Sequence, residues 1–429
     1  MAENFIAIFL INTSAPNSEA STNASTAARA AHNGGSVGSG GAGVDVGAAG
    51  LVPYTSYSNI VLMTGSLNAV LCTLGIVANI VSLRTFLAMN GILQEGVTLT
   101  LFALTLSDLG LCVASLCWTV AATCYTVEHR LGVLHGRGFY LFSVDPRALG
   151  IYFVNVMSVF GVTTTLITTY LAVARCLCVL MPLRFRRAFS PARTVVVTSL
   201  FLLVVLATRL PLFALMDIRP RFDPRTNVTR WTRWYHPDRE LVKDVLRSAV
   251  DIPLPVVAEV TLTFCVIVMV RALRASRKFR DVSCADVKIS SSEQRRFKYK
   301  YTSDRNSAPT PASKPDDKGR ETTNPAGNTA HGCKLSAKEF RVVKQLVIIS
   351  CTYMVCNLPK LVRILADSVE PEFKLSGRYR NLYDIASHVQ FMADTANSGV
   401  NLFIYLAFNA RFREKCCLVH LFKLDAKLM

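Results

Sequence analysis

Long apolar runs alternate with charged stretches along the chain. A helix needs about 20 mostly apolar residues to cross the hydrocarbon core of a bilayer, and seven runs reach that length. We therefore predict an all-α membrane protein, a bundle of seven transmembrane helices formed by residues 59–408. The predicted spans are residues 59–83, 97–124, 149–174, 194–215, 250–270, 342–366 and 385–408.

The segments outside these runs have compositions of their own. Residues 18–50 are rich in Ala, Gly, Ser and Asn, so residues 1–58 are expected to be a disordered, glycosylated extracellular tail. The start of this tail has no basic leader, and the first span is expected to target the chain. Residues 271–341 are predicted to form a long basic cytoplasmic loop, whose flanks RALRASRKFR and KLSAKEFRVVK favour helices that extend out of the membrane.

The C-terminal residues 409–429 have basic and apolar positions at helical spacing. This pattern is typical of an amphipathic helix that lies on the inner leaflet. Cys416 and Cys417 on that helix are palmitoylation candidates, with two ordinary free cysteines as the alternative.

The distribution of charge predicts the orientation. The net charge is +18, and basic residues concentrate at 184–187, 271–344 and 411–415, which share one side of the predicted bundle. Cytoplasmic loops carry such an excess, so we predict a plasma-membrane protein with an extracellular N-terminus and a cytoplasmic C-terminus, and we exclude nucleic acid as a partner. The basic segment 219–247 is the exception. The N-glycosylation sequons begin on the predicted outer side, at Asn12, Asn23 and Asn227.

One carboxylate lies within the second predicted span, at Asp108. A charge within the membrane is costly, so it indicates a functional or paired role. Neutral oxygen and amide groups on other spans could converge on it, and together they suit a sodium ion or a hydrogen-bonded network without an ion. These groups belong to Asn79, Thr164, Asn397, Ser398 and Asn401.

Motifs in five of the spans resemble those of the rhodopsin-like (class A) G-protein-coupled receptors. They are GIVAN, which ends at Asn79; LTLSD, which ends at Asp108; ARCLCVLMPLRF in the third span; YMVCNLP in the sixth; and NSGVNLFIYLAFNARFRE in the seventh. Each motif is weak alone, but they occur in order and in the corresponding spans. The resemblance extends from residue 59 to residue 417 and implies a receptor, without enzymatic activity, that activates a heterotrimeric G protein.

The resemblance also implies roles for individual residues. Arg175 corresponds to the arginine that engages the G protein, with one more inside-facing arginine as the plain alternative. Tyr405 and Asn401 belong to the switch in the seventh span, and Pro359 to the bend about which the sixth helix moves. Glu339 is placed to pair with Arg175 in the closed state.

The chain departs from the family pattern at several positions. Ala174 replaces the usual acidic neighbour of Arg175, so raised basal signalling is expected. Asn357 replaces a tryptophan and Leu402 a proline. Gly150 lies where a cysteine usually begins the third helix, and residues 216–249 contain no cysteine, so no disulfide is expected there and the loop must be ordered by other contacts or be mobile.

The outer halves of the spans suggest the ligand class. Met157 lies where amine receptors have an aspartate, which disfavours a monoamine. The polar, mixed-charge positions suit a peptide or an acidic small molecule, or else pair internally, for example Asp251 with Lys360. The candidate pocket residues are Met157, Asp251, Lys360, Arg363, Gln390 and Asp394.

Other functions remain as alternatives. The relaxed motifs are also typical of chemosensory receptors for environmental small molecules, and the departures leave open a receptor-fold binder that does not signal. A transporter is disfavoured because internal repeats are missing. The loop at 283–336 suggests arrestin and receptor kinases as further partners. Glu259, one turn inward of Pro255, is either a buried protonated acid or the partner of another helix.

Overall fold

The computed structural model describes residues 52–89, 96–135, 140–180, 190–224, 227–275, 337–375 and 377–416. It is mostly helical. The helices are α1 (Tyr54–Ala88), α2 (Gly96–His135), α3 (Pro146–Leu180), α4 (Pro191–Ala214), α5 (Arg239–Ala275), α6 (Ala337–Val369), α7 (Arg380–Phe408) and α8 (Ala410–Lys415), and a hairpin of β1 (Met216–Asp223) and β2 (Val228–Tyr235) lies between α4 and α5.

Six of these helices, α1 to α6, are long and apolar enough to cross a membrane by length and composition. Each of the seven predicted segments lies within a helix, except that Leu215 is one residue past α4. Helix α7 is 29 residues long but carries more polar side chains, and it is not among the six. The structure is therefore compatible with a multi-pass, all-helical membrane core.

Two predicted boundaries change. Helix α1 begins at Tyr54, so the last five residues of the predicted tail, 54–58, belong to the helix. Helices α5 and α6 extend to Ala275 and from Ala337, as their basic flanks predict. Residues 276–336 and the tail before residue 52 lie outside the described residues.

Local sequence explains the ends and irregular turns of several helices. Ser190 caps α4, accepting a hydrogen bond from the Arg193 amide at 3.4 Å, and Pro191 follows in the first turn, where its missing N–H costs nothing. Asn409 lies between α7 and α8, and its side chain caps α8 by accepting a hydrogen bond from the Phe412 amide at 3.1 Å. In α5 one π-helical turn, Arg247–Asp251, precedes Pro253, whose ring is incompatible with a regular α-helical turn before it.

The helices pack in a bundle. Helix α1 lies against α2 and α7, α2 against α3, and α6 against α7, while α3 also contacts α4 and α6. The end of the bundle at the hairpin is called the hairpin end below, and the end at α8 the opposite end. At the opposite end, an apolar cluster includes Phe86, Leu346, Tyr405, Phe412 and Cys416.

Candidate functional site

Asp108 is fully buried and lies at the centre of a polar site between α2, α3 and α7. The Thr164 hydroxyl donates to Asp108 Oδ1 at 3.0 Å and the Ser398 hydroxyl to the same oxygen at 3.2 Å. The Asn401 amide donates to Oδ2 at 2.7 Å. Three donors from two other helices thus hold one carboxylate that is buried away from the protein surface.

Asn79 supports this site without touching Asp108. Its amide donates to the backbone carbonyl of Ser398 at 3.2 Å and to that of Gly75 at 2.9 Å. The reach across to α7 follows from the close packing of Gly75 against Gly399, where a Cβ on Gly399 would lie 3.5 Å from Gly75 Cα. Asn397 is buried but makes no hydrogen bond to Asp108 within the described part of the chain.

A second polar cluster, which the sequence did not indicate, lies between α1, α2 and α7 toward the hairpin end. The Asn68 amide donates to the Thr119 hydroxyl at 2.7 Å and to that of Ser115 at 3.2 Å, and Ser115 bonds Thr395 at 3.1 Å. The available signal was spacing. Polar residues share one helical face on α2, at 105, 108, 115 and 119 with steps of three, seven and four, and on α7, at 395, 398 and 401 with steps of three.

Tyr405 continues this polar face toward the opposite end. The side chain is fully buried, its hydroxyl lies 3.4 Å from that of Thr105, and its ring packs edge-on against Phe86 and Phe412 at 5.4 Å between centroids. The inward position of this predicted switch residue is therefore held by aromatic contacts and one long hydrogen bond.

Two short hydrogen bonds are among the contacts that attach α6 to α5 and α3 on the opposite-end side of Pro359. The Asn357 amide donates to Glu259 Oε2 at 3.0 Å, and the hydroxyls of Tyr353 and Thr165 lie 2.7 Å apart. Asn357 and Tyr353 are both buried. Of the two alternatives for Glu259, the interhelical partner is the one observed, and that partner is the residue that replaces the usual tryptophan.

The predicted coupling residues lie near the opposite end. Arg175 is half-buried five residues before the end of α3, next to the buried Ala174. Glu339 belongs to α6, but its side chain lies outside the described residues, so its pairing with Arg175 stays a prediction. Cys416 is fully buried against the apolar cluster, which leaves its thiol inaccessible to acylation in this conformation, and Cys417 lies outside the described residues.

Most predicted pocket residues come together toward the hairpin end of α5, α6 and α7. Arg363 Nε donates to Gln390 Oε1 at 2.7 Å and Nη1 to the Tyr383 hydroxyl at 2.8 Å, and Gln390 donates to Asp394 at 3.3 Å. Met157 is 3% exposed and belongs instead to an apolar cluster with Trp118.

Asp251 does not pair directly with Lys360. Its carboxylate forms an ion pair with Arg209 of α4, and at the other end of the same π-helical turn Arg247 pairs with Asp367 of α6. The suggested Asp251–Lys360 pair is therefore wrong as a direct contact. The turn aims its two charged ends at different helices, which a regular helical pattern does not predict.

The β-hairpin lies in the segment for which the sequence predicts no disulfide, and other contacts attach it to the bundle. The ten described cysteines are free thiols. Glu128 of α2 accepts from Arg230 at 2.6 Å and from the amide of Leu141 at 2.9 Å, and both charged side chains are largely buried. The Trp231 backbone pairs with Ser143 and Asp145 in a short parallel bridge, with bonds of 3.0 and 2.9 Å.

The outer edge of the hairpin is closed to further strand pairing. The Asp217 carboxylate accepts hydrogen bonds from the Arg219 side chain and from the Ile218 amide. These two bonds, chiefly the one from Arg219, lower the pKa of the Asp217 carboxyl below its ordinary value. Pro220 has no amide N–H to donate. The Tyr152 hydroxyl donates a hydrogen bond to the Met216 carbonyl at 3.1 Å, so this acceptor is already used. Such edges resist pairing with other chains.

Asn227 lies at the tip of the hairpin, with its backbone at φ 55°. Asparagine tolerates this left-handed conformation better than most residues. Its side chain is exposed, as N-glycosylation requires. Asn12 and Asn23, the other two sequons, lie outside the described residues.

No protein-family model and no curated protein sequence matches this chain. Within the described residues, no group of three or more His, Cys, Asp or Glu side chains is arranged to hold a metal ion.

Proposed function

We propose that this chain is a receptor of the rhodopsin-like type, which converts ligand binding at the hairpin end into activation of a heterotrimeric G protein at the opposite end. The observation that carries the proposal is the Asp108 site, where Thr164, Ser398 and Asn401 meet one buried carboxylate. Asp108, Ser398 and Asn401 belong to the receptor-like motifs, and Thr164 joins them from a third helix.

The proposed topology has seven spans, with α7 as the seventh, in the plasma membrane. The hairpin end and the N-terminus are extracellular, and α8 lies on the cytoplasmic side. A polar seventh span is physically reasonable because α7 packs against α1, α2 and α6, which shelter its polar groups from lipid. The basic segments on the α8 side support the same orientation.

The orientation is tested with Asn227→Gln. If the hairpin is extracellular, the substitution removes one N-glycan and the full chain migrates faster on a gel than wild type. Enzymatic deglycosylation abolishes the difference. Thr229→Ser preserves the sequon and serves as the control, and it should migrate like wild type. Equal mobility of Asn227→Gln and wild type before deglycosylation contradicts a glycosylated extracellular hairpin.

A sodium ion is compatible with the Asp108 site. Carboxylate and hydroxyl oxygens are ligands that a hard cation accepts, and Asp108, Thr164 and Ser398 would supply them. A bound ion would neutralise the buried carboxylate and so favour the closed packing of α2, α3 and α7.

Arg175 is the proposed contact with the G protein. Ala174 offers it no acidic neighbour, so we expect the wild type to promote nucleotide exchange without ligand. The ligand is expected to be a peptide or an acidic small molecule, on the basis of the charged groups on α5, α6 and α7. A chemosensory role would use the same site for an environmental small molecule.

The coupling test measures the rate at which each of a panel of G-protein subtypes exchanges nucleotide in the presence of the purified chain, without ligand. Arg175→Ala should abolish basal exchange, and Ala174→Asp should reduce it because the new carboxylate pairs with Arg175. Arg193→Ala, an exposed arginine at the same end of α4, is the matched control and should leave exchange unchanged.

Two outcomes would count against this assignment. If wild type and Arg175→Ala give the same exchange rate, the chain does not couple through Arg175. If wild type gives a rate no higher than Ala174→Asp, the absence of an acidic side chain at position 174 does not raise basal exchange. No exchange with any subtype would favour a binder that does not signal.

A further inference from the structure

Five charged side chains meet between α4, α5, α6 and α7 toward the hairpin end. Lys360 lies within electrostatic range of all four others, which are Asp394, Asp251, Arg363 and Arg209. Three of the five are cations and two are carboxylates, so the group carries one excess positive charge. Lys360 and Arg363 are half-buried, and partial removal of a net charge from water is unfavourable, so an anion of one charge would offset it.

The excess charge is located at Lys360 and Arg363. Arg209 and Asp251 neutralise each other through their ion pair. Arg363 donates Nε and Nη1 to the neutral oxygens of Gln390 and Tyr383. Lys360 forms no hydrogen bond or ion pair with any residue that the structure describes, and Arg363 Nη2 likewise has no partner there.

Lys360 and Arg363 are also neighbours on one helix face. They are three positions apart on α6, so two like charges stand side by side. Asp394 moderates their repulsion without contacting either, since its one side-chain partner is Gln390. The donors without a partner there are therefore the Lys360 ammonium and one guanidinium nitrogen of Arg363, arranged along α6 next to polar groups of α7.

We infer that Lys360 and Arg363 form a binding site for a single carboxylate of the ligand, with Lys360 Nζ and Arg363 Nη2 as its donors. A carboxylate matches the charge excess of one, and each of its two oxygens can accept from one of the two donors. The inference rests on the proposed function in taking this region as the ligand site of a receptor. It narrows the ligand from polar molecules in general to those with a free carboxyl group.

The test begins without ligand, on the purified full chain in lipid nanodiscs. If Lys360 is an unpaired cation kept for a ligand, Lys360→Met raises the melting temperature, because a desolvated charge is removed and no ion pair is lost. Lys344→Met, an exposed lysine on the same helix, is the control for loss of a lysine and should not raise it. A melting temperature of Lys360→Met that is unchanged or lower overturns the inference, since it indicates a structural role.

The second arm uses benzoate as the probe and benzamide as its neutral match, at constant ionic strength. Benzoate should raise the melting temperature of wild type and leave that of Lys360→Met unchanged, and benzamide should shift neither. Equal stabilisation of both proteins by benzoate, or stabilisation of neither, overturns the carboxylate site. Neither arm depends on signalling, so failure here is distinguishable from failure of G-protein coupling.

Discussion

Replacing Arg230 with alanine should detach the β-hairpin from the bundle and destabilise the protein by about 3 kcal/mol. Glu128 would remain in its largely buried position with only the backbone amides of Leu141 and Phe142 as donors. Removal of one partner from a buried ion pair is costly because the remaining charge stays desolvated.

The measurement combines thermal unfolding with hydrogen exchange of the backbone amides. The amide of Trp231, which donates to Ser143 at 3.0 Å, should exchange faster in Arg230→Ala than in wild type. Arg233→Ala is the matched control, because Arg233 lies on the same strand, is exposed and has no carboxylate partner among the described residues.

A double variant tests whether Arg230 acts through Glu128. Glu128→Gln together with Arg230→Met removes both charges. The double variant should lose less free energy of unfolding than Glu128→Gln and Arg230→Met lose in sum as single variants, since no unpaired charge remains. If Arg230→Ala is as stable as Arg233→Ala and Trp231 exchanges at the wild-type rate, the ion pair does not attach the hairpin.

The hairpin attachment has a further electrostatic component. Arg230 also lies over the Tyr140 ring, 4.5 Å from its centre, and the Tyr140 hydroxyl donates to Asp223 at 2.8 Å. That hydrogen bond raises the pKa of the Tyr140 hydroxyl above its ordinary value. Arg230 on β2 thus contacts Glu128 of α2 and the Tyr140 ring, and Tyr140 in turn contacts Asp223 of β1.

Removing the Tyr353 hydroxyl should raise ligand-free nucleotide exchange by about 2- to 12-fold, since one hydrogen bond contributes about 0.5–1.5 kcal/mol. In the proposed mechanism, outward movement of α6 breaks the bond from Tyr353 to Thr165 and the bond from Asn357 to Glu259. If the open state lacks both bonds, losing either one lowers the free energy of opening.

The measurement compares Tyr353→Phe, Thr165→Val and the double variant at matched protein concentration. The single variants should raise exchange to a similar level, and the double variant should be no more active than either, because all three remove the same bond. Additive effects of the two single substitutions would show that the hydroxyls act separately. Exchange at the wild-type level in all three variants contradicts a restraint on α6.

Asn357→Leu probes the second bond. It should raise exchange further when combined with Tyr353→Phe, because the two bonds attach α6 to different helices. A combination no more active than Tyr353→Phe alone would show that the Asn357–Glu259 bond persists in the open state.

The sequence anticipated part of the Asp108 site and missed the rest. Thr164, Ser398 and Asn401 contact the carboxylate as expected, because a lone charge in an apolar segment attracts the nearest polar groups of neighbouring helices. Asn79 acts one step away, through the Ser398 backbone, since the close approach at Gly75 brings its amide to the α7 main chain. Such approaches depend on shape and are not visible in the spacing of polar residues.

The sequence by itself determined the helices, because backbone hydrogen bonds in a helix are local and an apolar run of sufficient length satisfies them without distant partners. It also placed Asp108 and Tyr405 on their inward faces. Only the tertiary structure decided the pairs: Asp251 with Arg209, Glu259 with Asn357, and Glu128 with Arg230. Those choices depend on how each helix is rotated and on a π-helical turn and a hairpin, and the periodicity of a single segment carries no information about its neighbour's rotation.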